Sequence, residues 1–430
     1  MNLLSEHKFV IEWWPIEQPV DYPKNARKWS AQAVDKVAAS IREYGWKQPL
    51  VCDSNAVIII GHLRRAAGRK AGMTECPVHV ARDLTPEQVR GLRLMDNRSH
   101  QEAEWDFELL GPELIDLQRL GFGLELTGFD EDELLNAMVE KTDGLTDPDD
   151  CPAVPEAPVS KLGDLWACGP HRVMCNDSTA LEATSRLCAG QKADMSFTDP
   201  PYNVDYQGYT EESLKIQGDK MSPEQFASFL RDAFASYSSS VKPGGSLYVC
   251  HPSSSQREFQ NALEGAGFQI RCQIIWAKNT FAWGFGRYKF QHEPIFYCHV
   301  AGQSDSWYGN KSQSTLWQEN KPAANRLHPT MKPVELVERA LTNSSKAGDL
   351  VLDLFGGAGS TMIACEKTGR NARLMEIDPR YVDVIVKRWQ DFTGKQATLA
   401  ASDATFEQVQ RERRPESQGS REEEAPAARP

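Results

Sequence analysis

The stretch DLVLDLFGGAGSTMIACEKTGRNARLMEIDPRY, residues 349–381, decides the fold. Its opening apolar run reads as a buried strand that breaks at Phe355-Gly356-Gly357-Ala358-Gly359. A helix follows, and a second strand closes on Glu376. Glycines at 356, 357 and 359 let a ligand approach the backbone at a helix N-terminus. An acid ending the next strand is placed to accept ribose hydroxyls. The unit reads as half of a nucleoside-binding site. A dinucleotide is the obvious ligand, but G-x-G-x-x-G spacing puts Met362 where close helix packing wants Gly or Ala. With no pyrophosphate to cradle, a shorter glycine loop suffices, which fits S-adenosylmethionine. The competing reading of the loop alone is a tight strand-to-helix turn.

Upstream, apolar strands alternate with amphipathic helices. ADMSFTD (193–199), GGSLYVCHP (244–252), QIIWAK (273–278) and EPIFYCHV (293–300) read as strands, and SPEQFASFLRDAFASYSSS (222–240) and PVELVERALTNSS (333–345) as helices. That alternation predicts a mostly parallel α/β sheet. The first of these strands leaves through TDPPYNVDY, residues 198–206. Two prolines remove two backbone donors and fix two φ angles, so the strand must stop there. A rigid elbow remains, presenting Asp199 and Tyr202 at the mouth of the sheet. Asp and Pro are also ordinary turn residues, so the elbow alone does not choose.

The 430 residues suffice for two or three domains, and 40% hydrophobic with 25% charged content is that of a soluble globular chain. No apolar run approaches the roughly 20 residues of a membrane span. The start, MNLLSEHKFVIEWWP, lacks the basic opening and apolar core of a signal peptide. The expectation is a cytoplasmic protein with no membrane partner. Ten scattered cysteines form no C-x-x-C pair, so reduced thiols are expected and no metal site. The net charge of −12 is uneven: residues 1–100 carry +4 and residues 101–159 carry −15. The acidity is therefore local and does not bar nucleic-acid binding elsewhere.

These features divide the chain into a first domain at 1–141, an acidic Pro-rich linker at 142–160, a second domain at 161–398 and a disordered charged tail at 399–430. In the first domain KFVIEWWP reads as a strand, and SAQAVDKVAASIREYG as a helix capped by Ser30 and ended by Gly45. PLVCDSNAVIIIG reads as two strands about an Asp-Ser-Asn turn, and HLRRAAGRKAG as a helix behind Gly61. A largely helical stretch follows.

D-P-P-Y together with F-G-G-A-G resembles the DNA amino-methyltransferases, which methylate the exocyclic nitrogen of adenine or cytosine. The elbow at 199–202 precedes the loop at 355–359, as in the permuted beta group of that family. VKPGGSLYVC (241–250), GRYKFQHEPIFYCH (286–299) and HPTMKPVEL (328–336) resemble further family segments in the expected order. The resemblance implies a Rossmann-like methyltransferase sheet with permuted motif order. It implies Asp199, Pro200, Pro201 and Tyr202 as the catalytic tetrad, and Phe355, Gly357, Gly359 and Glu376 as contacts to S-adenosylmethionine. Asp353, Thr330 and Lys332 follow as further cofactor residues. In the family Asp at the first tetrad position is commoner with adenine and Ser with cytosine, so adenine is expected and the cytosine amine is the alternative.

The chemistry suits these residue types. An exocyclic amine is a poor nucleophile because its lone pair is delocalised into the ring. Asp199 and the Pro200 carbonyl can accept its N–H bonds and favour a pyramidal nitrogen, so orientation permits direct in-line transfer. The base must leave the duplex, and Tyr202 offers it a stacking face. Carbon-5 cytosine methylation would need a cysteine nucleophile, and no Pro-Cys pair sits at this elbow.

Eleven aromatics lie between residues 276 and 317, and six Lys/Arg against three acids across 276–330. Basic residues among aromatics suit DNA backbone contact and base stacking. Lys278, Arg287, Lys289 and Lys311 are the expected DNA contacts. An aromatic core that includes Trp276, Phe296 and Tyr297 is the competing reading for half of the rings.

NARKWS, IREYGWKQPLV, IIGHLRRAA and LMDNR resemble the amino-terminal domain of ParB partition proteins, a fold shared with sulfiredoxin. This implies a smaller α+β domain with nucleotide binding around Gly61, Arg64 and Arg65. His62 and Leu63 replace the family's Glu and first Arg, which argues against hydrolysis. The fused architecture implies double-stranded DNA as partner, admits a homodimer, and points to a phage or mobile-element setting. The alternatives are a partition-like DNA-binding protein with a relic methylase, and a nuclease fused to a methylase. Intact Asp199, Tyr202, glycine loop and Glu376 argue against the first, and no acid–lysine cluster supports the second.

Overall fold

The computed structural model describes residues 9–25, 27–99, 107–130, 133–134, 137–138, 144–203, 220–279, 287–310, 312–319 and 331–413. The chain divides into two compact units, residues 1–139 and 140–430.

The first unit runs β1 (Glu12–Pro15), α1 (Ala31–Tyr44), β2 (Leu50–Cys52), β3 (Ile58–Ile60), α2 (His62–Lys70), β4 (Glu75–Val80), α3 (Pro86–Ser99) and α4 (Phe107–Arg119). Its sheet has the order β1-β4-β2-β3. Ser30 caps α1, its Oγ accepting the Ala33 N–H at 3.1 Å, and Gly45 ends it with φ +73°. The Asp53 carboxylate takes the N–H groups of Asn55 and Val57, each at 2.9 Å, which folds the expected turn between β2 and β3. Leu50, Cys52, Ile58 and Val78 are fully buried beneath.

The second unit opens with a hairpin of β5 (Leu165–Cys168) and β6 (His171–Cys175), then α5 (Leu181–Leu187) and β7 (Ala193–Thr198). It continues through α6 (Pro223–Ser240), β8 (Val241–Cys250), α7 (Gln256–Gly265), β9 (Phe268–Ala277), β10 (His292–Val300) and β11 (Leu316–Trp317). The last part holds α8 (Val334–Ser344), β12 (Leu350–Asp353), α9 (Ser360–Thr368), β13 (Asn371–Glu376), α10 (Pro379–Thr393), β14 (Thr398–Leu399) and α11 (Phe406–Arg413). One ten-stranded sheet has the order β11-β9-β10-β8-β7-β12-β13-β6-β5-β14. Its centre, β8-β7-β12-β13-β6, is parallel throughout. Alternate strand residues feed two cores, one on each face: Met195, Phe197, Val351 and Leu374 in one, Leu247, Val249, Leu352 and Met375 in the other. Strand order reverses between β7 and β12, and ligands of such sheets bind outside the carboxyl ends at that point.

Two boundary expectations are corrected. From Gly144 the acidic stretch expected as a linker lies along the second unit. The Leu145 N–H donates to Phe392 O at 2.7 Å, Arg388 donates to Pro148 O at 2.7 Å, and the Asp383 carboxylate accepts Val159 N–H at 2.5 Å and Ser160 N–H at 2.9 Å. Prolines keep the stretch out of regular structure, but its carbonyls and acids bond a preformed surface. Composition measures only what a segment could bury by itself. The tail expected from residue 399 is likewise folded as far as Arg413. Phe406 and Val409, one helical turn apart, are both buried, and Arg413 pairs with Asp164. Residues 414–430 lie outside the described ones.

Candidate active site

β7 is buried between β8 and β12, and its exit sets the elbow. Thr198 Oγ1 lies 2.6 Å from the Tyr237 hydroxyl, which also accepts the Leu354 N–H at 2.7 Å. This ties the elbow to the end of β12. Pro200 is buried and Asp199 half-buried. Tyr202 donates its hydroxyl to Asp199 Oδ1 at 2.7 Å. Asn203 takes a left-handed φ of +55°, and its amide pairs with both backbone groups of Met221, at 2.6 and 3.1 Å. The chain is thus clamped directly after the tetrad.

Lys332 donates to Asp199 Oδ2 at 2.6 Å and stands 3.2 Å from Glu293 Oε2 and 3.4 Å from the Tyr202 hydroxyl. Burial opposes its charge, but Asp199 and Glu293 outweigh burial and hold the ammonium protonated. Burial would likewise raise Glu293, yet Lys332 and Lys278 bring it down to about 2. Burial, with the Asp199 charge beside it, pushes the Tyr202 phenol well up, so it stays a donor.

On the other side of the switch point, Asp353 ends β12 almost fully buried. It accepts Thr361 Oγ1 at 2.7 Å and Phe355 N–H at 3.1 Å, and burial pushes it up to about 6. Gly357 and Gly359 have φ of +49° and +84°, and space beside Gly357 is open. A Cβ on Gly359 would lie 3.2 Å from Ile385. The Gly357 N–H donates to Glu376 Oε2 and the Asp378 N–H to Oε1, both at 2.9 Å. Burial pushes Glu376 up to about 7. An acidic elbow and an acid-lined glycine loop thus meet at the carboxyl edge of one parallel sheet.

Residues 193–387 match the DNA methylase family, residues 16–98 the ParB N-terminal domain and residues 108–162 the ParB-methyltransferase HTH domain. The chain joins a DNA methylase domain to a ParB N-terminal domain. It is 25% identical over 232 residues to the type II methyltransferase M.HinfI of Haemophilus influenzae, covering 47% of this fusion and 64% of that protein. It is 27% identical over 222 residues to the type II methyltransferase M2.DpnII of Streptococcus pneumoniae, covering 46% and 82%. A crystal structure of the M1.HpyAVI–SAM complex is similar at 22% identity and a TM-score of 0.39, covering 50% of the fusion and 98% of that chain. The fusion therefore spans less than two thirds of M.HinfI.

Within the methylase domain the tetrad residues stand together, and so do Asp353, Phe355, Gly357, Gly359 and Glu376. Lys332 was expected among cofactor contacts but lies on Asp199. Lys278 was expected at DNA, yet its side chain is 12% exposed, bonded to Glu293 and set over the Trp276 ring. The reason is local: an acid at the start of the neighbouring strand draws it inward. Arg287 and Lys289 are exposed beside Tyr288. Trp276, Phe296, Tyr297 and Trp317 are core. Thr330 and Lys311 lie outside the described residues.

In the ParB domain Gly61 opens α2 with φ +104°. Arg65 is 5% exposed and bonds Ile16 O at 3.0 Å and Asp21 at 2.9 Å, so it serves the domain interior rather than a ligand. Arg64 is half-buried. His62 is buried and accepts the Tyr22 N–H at 3.3 Å. Sequence reasoning missed Glu293. The available signal was an ionisable residue opening the apolar run EPIFYCHV, where a charge needs a partner.

Proposed function

We propose that the methylase domain moves a methyl group from S-adenosylmethionine to the exocyclic amine of adenine in duplex DNA. The observation that carries this reading is the meeting of the Asp199 elbow and the glycine loop across the β7/β12 switch point.

The residues present fit an adenosine-bearing cofactor. Gly357 leaves open space, Glu376 and Asp353 offer acceptors at adjacent strand ends, and the half-buried Phe355 offers an apolar face. When bound, S-adenosylmethionine supplies an electrophilic methyl on a sulfonium sulfur. The chain's own residues then have to orient and activate the amine. Asp199 and the Pro200 carbonyl accept its N–H bonds, which favours a pyramidal nitrogen with an available lone pair. Tyr202 gives a base drawn out of the duplex a face to stack on. Covalent catalysis is poorly served: among the described residues Cys250 is the thiol beside Asp199, and burial pushes it well above its usual range, which disfavours the thiolate.

Asp199 at the first tetrad position supports adenine over cytosine, whose amine would use the same elbow. In the ParB domain, Gly61 and Arg64 support binding of a nucleotide phosphate, with Arg65 holding the fold around them.

Asp199→Ala tests the reading. Binding of S-adenosylmethionine by calorimetry should be kept, while methyl transfer to duplex DNA falls by about 10³-fold or more. Near-normal turnover in this variant would overturn the role of the elbow.

A further inference from the structure

Four charges alternate through the methylase site. Asp199 follows β7, Lys332 precedes α8, Glu293 lies in β10 and Lys278 follows β9. Lys332 touches both carboxylates, at 2.6 and 3.2 Å, and Lys278 bonds the other oxygen of Glu293. Among the described residues, Tyr202, Cys250 and Asp353 are further titratable groups that face these charges. The Lys332 side chain is only 7% exposed, and Ser360 fixes its carbonyl at 2.7 Å. A buried ammonium is retained only where carboxylates hold it. With both pairs present the four charges sum to zero.

We propose that Lys332 and Glu293 are positioning residues for methyl transfer: Lys332 fixes the Asp199 carboxylate and orients it toward the target amine, and Glu293 holds Lys332 in place. This rests on the reading that Asp199 receives that amine. Lys332 occupies one lone-pair direction of Oδ2, which leaves another for the substrate. Without Lys332, two carboxylates that approach the same nitrogen would face each other in one enclosed site. Like charges so placed drive one of them to take up a proton. A carboxyl group that has taken up a proton is a poorer acceptor for the amine.

The test compares Lys332→Met, Lys332→Arg and the double variant Lys332→Met/Glu293→Gln, with saturating S-adenosylmethionine and duplex DNA. Lys332→Met should lower kcat at pH 7 by about tenfold or more and regain rate as pH rises, because the paired carboxylates re-ionise. Its KM for S-adenosylmethionine should stay near wild type. Lys332→Arg keeps the charge and should keep most of kcat. The double variant also removes one carboxylate, which returns the net charge to zero, and should exceed the single variant at pH 7. A raised cofactor KM with unchanged kcat, or a double variant no better than the single, would overturn the proposal.

Melting against pH gives a readout independent of turnover. A carboxyl pKa raised in the folded state stabilises below its unfolded value, and that stability is lost as pH rises through the folded value. Lys332→Met should therefore gain on wild type as pH falls from 8 to 5, and the double variant should not. Equal pH dependence in all three would overturn the charge chain. A wild type that methylates nothing would instead overturn the proposed function, with the melting series still deciding the charge chain.

Discussion

Asp149 accepts the backbone N–H of Val334 at 2.9 Å, across 185 positions of sequence. Val334 opens α8, and Pro333 before it has no side-chain acceptor with which to cap the helix. An acid of the connecting stretch supplies the cap, two residues beyond Lys332. Asp149→Ala should cost about 1 kcal/mol, as for other lost caps, and should lower kcat several-fold by loosening Lys332. Asp149→Asn keeps an acceptor and should keep both properties. Thermal melting and steady-state kinetics check this pair.

Glu376 and Asp353 sit above their ordinary values, at about 7 and about 6. These two groups therefore hold more protons in the folded than in the unfolded protein between about pH 4 and 7, and their contribution makes stability fall as pH rises through that window. Glu376→Gln should raise the Tm at pH 8 relative to wild type and lose that advantage near pH 5. Binding of S-adenosylmethionine, measured by calorimetry at pH 8, should weaken in the same variant because a charged acceptor is gone.

Tyr202 combines a ring with a hydroxyl bonded to Asp199. Tyr202→Phe keeps the ring and should lower kcat modestly, with the KM for DNA little changed. Tyr202→Ala also removes base stacking, worth about 1–3 kcal/mol, and should raise the KM for DNA as well. Steady-state kinetics over a DNA concentration series separates the two effects.

The adjacent arginines of the ParB domain should part company. Arg65 is itself buried and bonds the buried Ile16 carbonyl, while its partners Asp21 and Glu17 are exposed, so Arg65→Ala should destabilise that unit by about 1–3 kcal/mol by leaving that carbonyl without its donor. Arg64→Ala should leave melting nearly unchanged and weaken nucleotide binding, as read by calorimetry with nucleoside triphosphates.

The parallel centre of the sheet was legible because its strands are apolar on both faces and are separated by amphipathic helices. The elbow and the glycine loop were legible because Pro and Gly act through the backbone, where sequence position is sufficient. The β5–β6 hairpin and β14 were not read: their strands are short, and both β6 and β14 also pair with strands far off in the chain. Long-range pairing hid the rest. Lys332 joins Asp199 across 133 positions and Asp149 joins Val334 across 185, and no local pattern marks either contact. Lys278 looked like a surface cation because the sequence does not show that Glu293 stands on the neighbouring strand.

Nucleoside mass spectrometry of unmethylated duplex DNA, after incubation with the whole protein and methyl-labelled S-adenosylmethionine, tests the proposed reaction most directly. The expected result is label in N6-methyldeoxyadenosine, absent when Asp199→Ala replaces wild type. Label on cytosine, or no label from a wild-type protein that binds the cofactor, would contradict it.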